Sequence, residues 1–494
     1  MNKKEALDGF SLGARIAEEE AKELSSYFVE TEQWKQVWEE KVDIVYGPKG
    51  SGKSAIYATL VERESLLFDK GILIAPAESP RGTPAFASLE KDPPGTEHEF
   101  INLWKLYFLT VVAGAFDDYE IDNSDARRVI QSLTDSGMLP GKGTSLRQKL
   151  LSVWTYVRRA FRPKEIEPTI TTDPSGTTAI SARIKFDEPD TDQRSKGQLH
   201  VDELFESADR ALTQENVRLW LLLDRLDVAF AGQPDLENIA LRSLFKVYLN
   251  LNSIQQISLK IFLRTDIWES ITKEGFREAS HITRELTLGW NEASLLHMSM
   301  QRILRNSGVI YYYKVNPKEV HSHSDREELF QRIYPEQVER GPNKPRTFNW
   351  CISRIQDGKR NATPRELIHL LSETRDIQIR RQELGESEPS GSQIFDGTSL
   401  KNALPAVSEN RLTKTIYAEH PHLKEYIQKL EGQKSDHSID SLSSIWEIPR
   451  DAAKEVAMQL AEIGFFEQRS TFWVPFLYRP ALNLVQGRSI FPED

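Results

Sequence analysis

The sequence predicts an α/β fold: a parallel β-sheet with helices on both faces, followed by a helical region and a C-terminal winged helix. Three observations carry this. Short apolar runs at residues 42–46, 71–75, 219–223, 259–263 and 282–288 alternate with segments of helical periodicity, the signature of parallel strands joined by crossovers. The first run leads through a glycine-rich turn straight into a helical segment at residues 54–60. In the last hundred residues, 438–446, 449–463 and the alternating Thr471-Phe472-Trp473-Val474 read as helix, helix and wing.

Taken in chain order, residues 11–40 predict a lead-in helix, with Ala17, Ala21, Leu24 and Phe28 on one face and Glu18, Glu19, Glu20, Lys22 and Glu23 elsewhere. The strand-and-helix core is expected over 41–290. More than a hundred residues separate its second and third strands, so an insertion is expected at about 120–200, ending in a hairpin of 169–172, a Pro174-Ser175-Gly176 turn and 179–186. A helical lid is expected over 291–384, closing with Thr363-Pro364-Arg365-Glu366-Leu367, where proline fits a first helical turn. Gly385 to Ser392 opens an expected linker, 385–404, and the winged helix takes 405–494.

Composition sets the class. The chain has 494 residues, enough for roughly three domains of about 150 residues each. Apolar residues at 39% and charged residues at 28% describe a folded protein rather than a disordered one. A membrane-spanning helix needs about 18 or more consecutive apolar residues, and the longest run, 106–116, is shorter and contains a glycine. The start, Met1-Asn2-Lys3-Lys4-Glu5, lacks the apolar stretch of a signal peptide, so a cytoplasmic protein with no membrane partner is expected. The single cysteine, Cys351, excludes an intramolecular disulfide, and the histidines show no metal-ligand spacing.

Gly47-Pro48-Lys49-Gly50-Ser51-Gly52-Lys53-Ser54 matches the phosphate-binding loop G-x-x-x-x-G-K-[ST], in the required strand-loop-helix context. Its glycines let backbone N–H groups turn toward phosphates, Lys53 reaches the terminal phosphates, Ser54 ligates Mg2+, and Ala55 continues the helix N-terminus. Such a site needs an acid at a neighbouring strand end. Leu219 to Leu223 is followed by Asp224-Arg225-Leu226-Asp227, which makes Asp224 the expected metal residue and Asp227 the group that orients or deprotonates the attacking water. A further strand ends in Arg264-Thr265-Asp266, so Arg264 or Thr265 is placed to sense the terminal phosphate. Arg365 in the lid is a candidate nucleotide contact, and Arg277, near the last strand with Arg284, a candidate finger for a neighbouring subunit. No N-K-x-D base reader and no LSGGQ-like signature is present, which favours ATP over GTP and argues against a transporter-type ATPase.

These residues together resemble a known group. The loop, the LLLD-R-LD strand, the FLRTD strand end and the TPRELI helix look like the AAA+ and STAND branch of P-loop ATPases, near origin-recognition-like and KAP-type proteins. With Tyr27-Phe28-Val29-Glu30-Thr31 and the terminal FLYRPAL they resemble a bacterial family of P-loop ATPases over residues 14–482. The resemblance implies a helical lid, a winged helix, the metal role of Asp224, the sensor roles of Arg264 and Thr265 and the lid-sensor role of Arg365. One departure stands out: STAND proteins continue this strand as Asp-Glu, whereas Val228 follows Asp227 here.

Net charge is −11, which repels polyanions at long range. Residues 136–164 nevertheless contain no acid, while Lys142, Arg147, Lys149, Arg158, Arg159, Arg162 and Lys164 lie there among Trp154, Tyr156 and Phe161; this is the candidate contact for nucleic acid or an acidic partner. A nuclease is not expected, because Asp173 with Ser181 to Lys185 lacks a second acid. The winged helix reads poorly as a groove reader: Pro449-Arg450-Asp451 opens a helix as acidic as it is basic, and Phe472, Trp473 and Phe476 point to packing within the chain or on a partner. The expectation is an ATP-driven switch that controls self-assembly, as a homo-oligomer, or a separate effector, with antiphage defence as the process the resemblance implies. The alternatives are a nucleic-acid-dependent ATPase and a non-hydrolysing scaffold held by nucleotide.

Overall fold

The structure is a computed structural model that describes residues 2–14, 24, 27–78, 85–89, 92–139, 141, 143–162, 184–186, 199–226, 233–273 and 275–489. It divides into two compact units. One comprises Glu32–Pro48 and Lys53–Leu288, the other Met1–Thr31, Lys49–Gly52 and Gly289–Asp494.

The first unit is built on five parallel strands: β1 (Ile44–Gly47), β2 (Ile72–Pro76), β3 (Arg218–Leu223), β4 (Ile257–Arg264) and β5 (Glu285–Thr287), in the order β2-β3-β4-β1-β5. Alternate residues explain the two covered faces. Leu219, Leu221 and Leu223 of β3 share one core with Ile44 and Tyr46 of β1, Leu73 and Ala75 of β2, and Leu259, Ile261 and Leu263 of β4. The residues between them, among them Val45, Ile74, Trp220, Leu222 and Phe262, are buried too. Phe262 meets the edge of Tyr57, from helix α1 (Lys53–Glu62), at 6.0 Å. Strands buried on both faces read as continuous apolar runs, and that is why they were legible. With its phosphate-binding loop between β1 and α1, this is a P-loop NTPase fold.

Helix α2 (Glu97–Asp118) is capped by Thr96 and Glu99 in a reciprocal capping box. Among the described residues it alone is long and apolar enough to cross a membrane, and 89% of its apolar window is buried inside the protein as a core helix. Helices α3 (Leu146–Phe161), α4 (Val201–Gln214), α5 (Pro234–Leu251) and α6 (Thr265–Lys273) complete the unit's main helices. Most of the hairpin expected at 169–186 lies outside the described residues. Its last part pairs otherwise: Ile184–Lys185 runs parallel to Leu199–His200. The Tyr156 hydroxyl donates to Ile184 O at 2.6 Å and accepts from its N–H at 3.1 Å, and Phe161 stacks on Phe186 at 5.1 Å, so α3 holds this strand.

The lead-in helix expected at 11–40 is not continuous. Residues 15–23 and 25–26 lie outside the described set, Phe28 to Thr31 is irregular, and the helices are Lys3–Asp8 and Glu32–Trp38. The second forms because Trp34 and Val37 share a face, with Trp38 stacked on Trp34 at 5.4 Å. Phe10 and Leu12 instead join the core of the other unit.

That second unit has one continuous core, running from Leu7 to Leu482. It contains α7 (Glu292–Ile303), α8 (Thr347–Ile355), α9 (Pro364–Glu383), α10 (Gly397–Arg411), α11 (Ile439–Trp446) and α12 (Arg450–Glu462). A small sheet of β6 (Lys434–His437), β7 (Glu467–Gln468), β8 (Phe472–Trp473) and β9 (Val485–Arg488), ordered β9-β6-β8-β7, forms the wing of the winged helix. The linker expected over 385–404 is a correction. Residues 397–404 are helical, and Phe395 is fully buried, stacked on Tyr334 at 4.7 Å and edge-on to Phe10 at 5.0 Å. Arg381 clamps both sides of the turn, donating to Asp396 at 2.6 Å and to Glu386 at 2.5 Å. The polar composition of 385–392 marks a pinned loop rather than a tether.

Candidate functional site

The register of the sheet places Gly47, the end of β1, beside Arg264, the end of β4. The loop leaves from there, and two of its glycines adopt left-handed backbone, Gly50 at φ +84° and Gly52 at φ +99°. Gly50 is required for a second reason: a Cβ would lie 2.9 Å from Thr363 Oγ1 and 3.0 Å from Arg365 Cβ. Lys53 is buried, and its ammonium donates to Gly47 O at 2.8 Å and Pro48 O at 3.1 Å. Ser54 and Ala55 fall in the first turn of α1, whose N–H groups have no partner within the helix.

Asp224 follows β3 directly and is buried. Arg225 has φ +59°, so the chain turns sharply there. Asp227 lies outside the described residues. On the neighbouring strand β2, Pro76 is in register with Leu222, and the Ala77 N–H donates to Leu222 O at 2.8 Å. Glu78 therefore stands level with Asp224. It is 1% exposed. Tyr57, one helical turn past Lys53, donates to Glu78 O at 2.9 Å. Burial, then the charges of Asp224 and Glu78, push the Tyr57 hydroxyl pKa up, so both carboxylates act on this helix face. Sequence reading did not mark Glu78, although an acid just after a predicted strand is the signal that found Asp224.

At the end of β4 the Arg264 guanidinium forks onto Asp266, Nε to Oδ1 at 3.0 Å and Nη2 to Oδ2 at 2.6 Å. Burial alone would raise the Asp266 carboxyl, but Arg264, aided by Lys53, holds it below its usual value. Thr265 begins α6 with its hydroxyl buried and without a hydrogen-bond partner among the described residues. Arg277 is exposed in a 3-10 turn, and Arg284 pairs with Asp43 at 2.6 Å.

Within the C-terminal unit, loop residues Lys49–Gly52 are held by the lid and the segment after α10. Trp290 Nε1 donates to Ser51 O at 2.7 Å. Lys49 donates to Glu419 Oε1 at 2.5 Å and to Lys414 O at 3.2 Å, the latter in a π-helical turn, Leu412–Ile416. Ser51 Oγ and Arg365 Nε are buried without hydrogen-bond partners among the described residues. Buried polar atoms almost always have partners, so within the C-terminal unit the orphaned atoms at Ser51 and Arg365 fit a missing polar ligand, and in the sheet unit the Thr265 hydroxyl does so separately. For a metal, the Ser54 hydroxyl and Asp224 carboxylate are hard oxygen donors of the kind Mg2+ takes together with phosphate oxygens.

Part of the basic segment is spent within the fold, while Lys142 and Lys164 lie outside the described residues. Arg158 pairs with Asp92, Arg162 forks onto Glu99 with both bonds at 2.7 Å, and Lys149, its pKa lowered by burial, feels Asp118 and Asp117. Arg147 and Arg159 are exposed. The wing is also occupied from within. Arg469 and Arg479 flank Trp473 at 4.4 and 4.5 Å, while Arg479 and Arg354 flank Phe476 at 4.2 and 3.9 Å. Phe472 is buried, and Arg450 at the head of α12 pairs with Asp440 at 2.7 Å.

No family model matches the chain, and no curated protein matches it. Among solved structures it is similar to the Aeropyrum pernix ORC1 protein in complex with DNA, at 13% identity, covering 90% of this chain and 86% of that one, with a TM-score of 0.35. It is similar also to the Aeropyrum pernix ORC2 protein in ADPNP-ADP complexes (13% identity, 91% and 90% covered, TM-score 0.30) and to Cdc6p from Pyrobaculum aerophilum (11% identity, 91% and 92% covered, TM-score 0.28). Likeness at this level carries no ligand or partner across, and the chemistry of the site stands on its own residues.

Proposed function

We propose that this chain is an ATP-binding and ATP-hydrolysing switch of the AAA+/STAND type, in which Mg-ATP at the loop sets the lid and winged helix and so controls self-assembly or a partner effector. The observation that carries this is the geometry of the loop itself: it leaves β1 at Gly47, turns through left-handed Gly50 and Gly52, and delivers Lys53 and Ser54 to the head of α1. Lys53 would neutralise the terminal phosphates, Ser51 and the first turn of α1 would donate to phosphate oxygens, and Thr265 and Arg365 would offer their buried donors. Ser54 and Asp224 would hold Mg2+, which neutralises charge on the phosphates during transfer.

The test is ATP turnover per protomer over a range of protein concentrations, with Trp290 fluorescence as a binding signal, for wild type, Lys53→Ala and Asp227→Asn. Turnover that rises with concentration and is lost in Lys53→Ala supports a self-assembling ATPase, since an arginine supplied in trans accelerates hydrolysis about a thousandfold or more. ATP bound with no turnover at any concentration would leave a nucleotide-held scaffold. Resemblance supports antiphage defence as the process; expression in a bacterial host is then expected to lower phage plaquing, and Lys53→Ala to restore it.

A second reading, nucleic-acid-dependent turnover, is favoured by Arg147 and Arg159, which are exposed on α3. Stimulation by DNA or RNA that disappears on reversing both charges would support it. Turnover indifferent to nucleic acid would rule it out.

A further inference from the structure

We propose that Glu78 is the catalytic base of this site, the carboxylate that takes a proton from the attacking water. The inference rests on the ATPase reading above and names a residue that the loop motif does not reach. Three observations carry it. In parallel α/β sheets ligands are bound outside the carboxyl ends of the strands, and Glu78 sits two residues beyond β2 at that edge. The β2–β3 register sets it level with Asp224, on strands about 4.8 Å apart. Its place is fixed from three sides: Tyr57 of α1 donates to its carbonyl at 2.9 Å, Tyr107 of α2 donates to Ala77 O at 2.6 Å, and Ala85 N–H donates to its Oε1 at 2.8 Å. Glu78 is 1% exposed and, like the buried Asp224, stands at the edge of the sheet from which the loop after Gly47 leaves.

In the step, the water oxygen forms a bond to the γ-phosphorus as its proton passes to Glu78. The bond from the γ-phosphorus to the β,γ-bridging oxygen breaks, and its electron pair leaves with ADP. Asp224 keeps its metal role, so the two neighbouring carboxylates divide the work.

Glu78→Gln separates charge from structure, because the amide oxygen still accepts from Ala85 N–H. The measurements are the melting temperature, Mg-ATP affinity by Trp290 fluorescence, and steady-state and single-turnover hydrolysis, beside wild type, Lys53→Ala and Asp227→Asn. Expected are an unchanged melting temperature, affinity within about threefold of wild type, and kcat lower by about a hundredfold or more. Turnover near wild type in Glu78→Gln, with Lys53→Ala inactive, would overturn the assignment and leave the ATPase intact; loss in Asp227→Asn alone would move the base there. A wild type that binds ATP without turning it over would overturn both readings. Glu78→Gln with lost ATP binding or a lowered melting temperature would make Glu78 a structural residue.

Discussion

Two buried charge clusters, one in each unit, use similar side chains for different ends. In the sheet unit Asp43 is closed on all sides: Lys260 donates to Oδ1 at 2.7 Å, Arg284 to Oδ2 at 2.6 Å, and the Tyr248 hydroxyl to Oδ2 at 3.2 Å. Lys260 also donates to Val42 O at 2.8 Å and lies 4.5 Å over the Trp220 ring. In the C-terminal unit Arg411 donates to Glu366 at 3.0 Å and lies 3.9 Å from Asp357, while Thr363 hydrogen-bonds Glu366 and abuts loop residue Gly50. The first cluster precedes β1 and lies at the amino end of the sheet; the second ends on the phosphate-binding loop.

Acidities follow the number of cations. Burial would raise Asp43, but Lys260 and Arg284 hold it below the usual carboxylate range. Asp357 is raised, because burial outweighs the Arg411 charge and the amide donors around it. A carboxylate with two close cations keeps its charge in the interior; one with a single distant cation does so at a cost.

The largest expected effect breaks the closed cluster. Asp43→Asn leaves Lys260 and Arg284 without their shared anion and should cost about 3–5 kcal/mol in denaturant unfolding. ATP affinity of the folded protein should not move; a large change in affinity would mean that the cluster is not merely structural. Next is His437, fully buried on β6, with Nδ1 3.1 Å from Ser441 Oγ. Burial lowers its pKa from 6.5 to about 4. The unfolded chain binds the proton first, so stability is whole above about pH 6.5 and declines by about 3 kcal/mol as pH falls to about 4. His437→Asn should flatten that part of the pH profile, and an unaltered slope would assign it elsewhere.

Smaller effects sharpen the contrast. Glu366→Gln keeps an acceptor for Arg411 and removes the charge, at an expected cost of about 1–3 kcal/mol. Because the Thr363 hydroxyl beside Gly50 then loses its carboxylate acceptor and must reverse its hydrogen bond, ATP affinity should shift by about fivefold or more, as a coupling between the two sites. Affinity unchanged within error would detach the cluster from the loop. Lys49→Met removes a half-buried pair with Glu419 and should change stability by no more than about 1 kcal/mol, while changing nucleotide affinity. An equal effect on both would make the pair an ordinary surface contact.

Much of the sheet was legible because its strands are buried on both faces and their apolar runs need no partner to be seen. The 219–223 run became Arg218–Leu223, and the 259–263 run became Ile257–Arg264. Lys260, inside such a run, was opaque: its charge is tolerated only because Asp43, 217 positions earlier, meets it. Glu78 was visible as a residue, but its level with Asp224 is a matter of strand register, which pairs segments far apart in sequence. The linker failed because composition over 385–392 is local, whereas the burial of Phe395 is decided by Phe10 and Tyr334.

The amino-acid sequence alone determined the strand-loop-helix motif, because left-handed glycines, a terminal lysine and a hydroxyl are required within eight consecutive residues. It also determined the alternation of strands and helices, since periodicity is a property of neighbouring residues. Tertiary structure decided which arginines of 136–164 are neutralised, that the wing stacks its aromatic rings between arginines of its own unit, and which carboxylates share an edge of the sheet. Those outcomes depend on contacts between distant segments, and burial and charge compensation exist only once the segments have met.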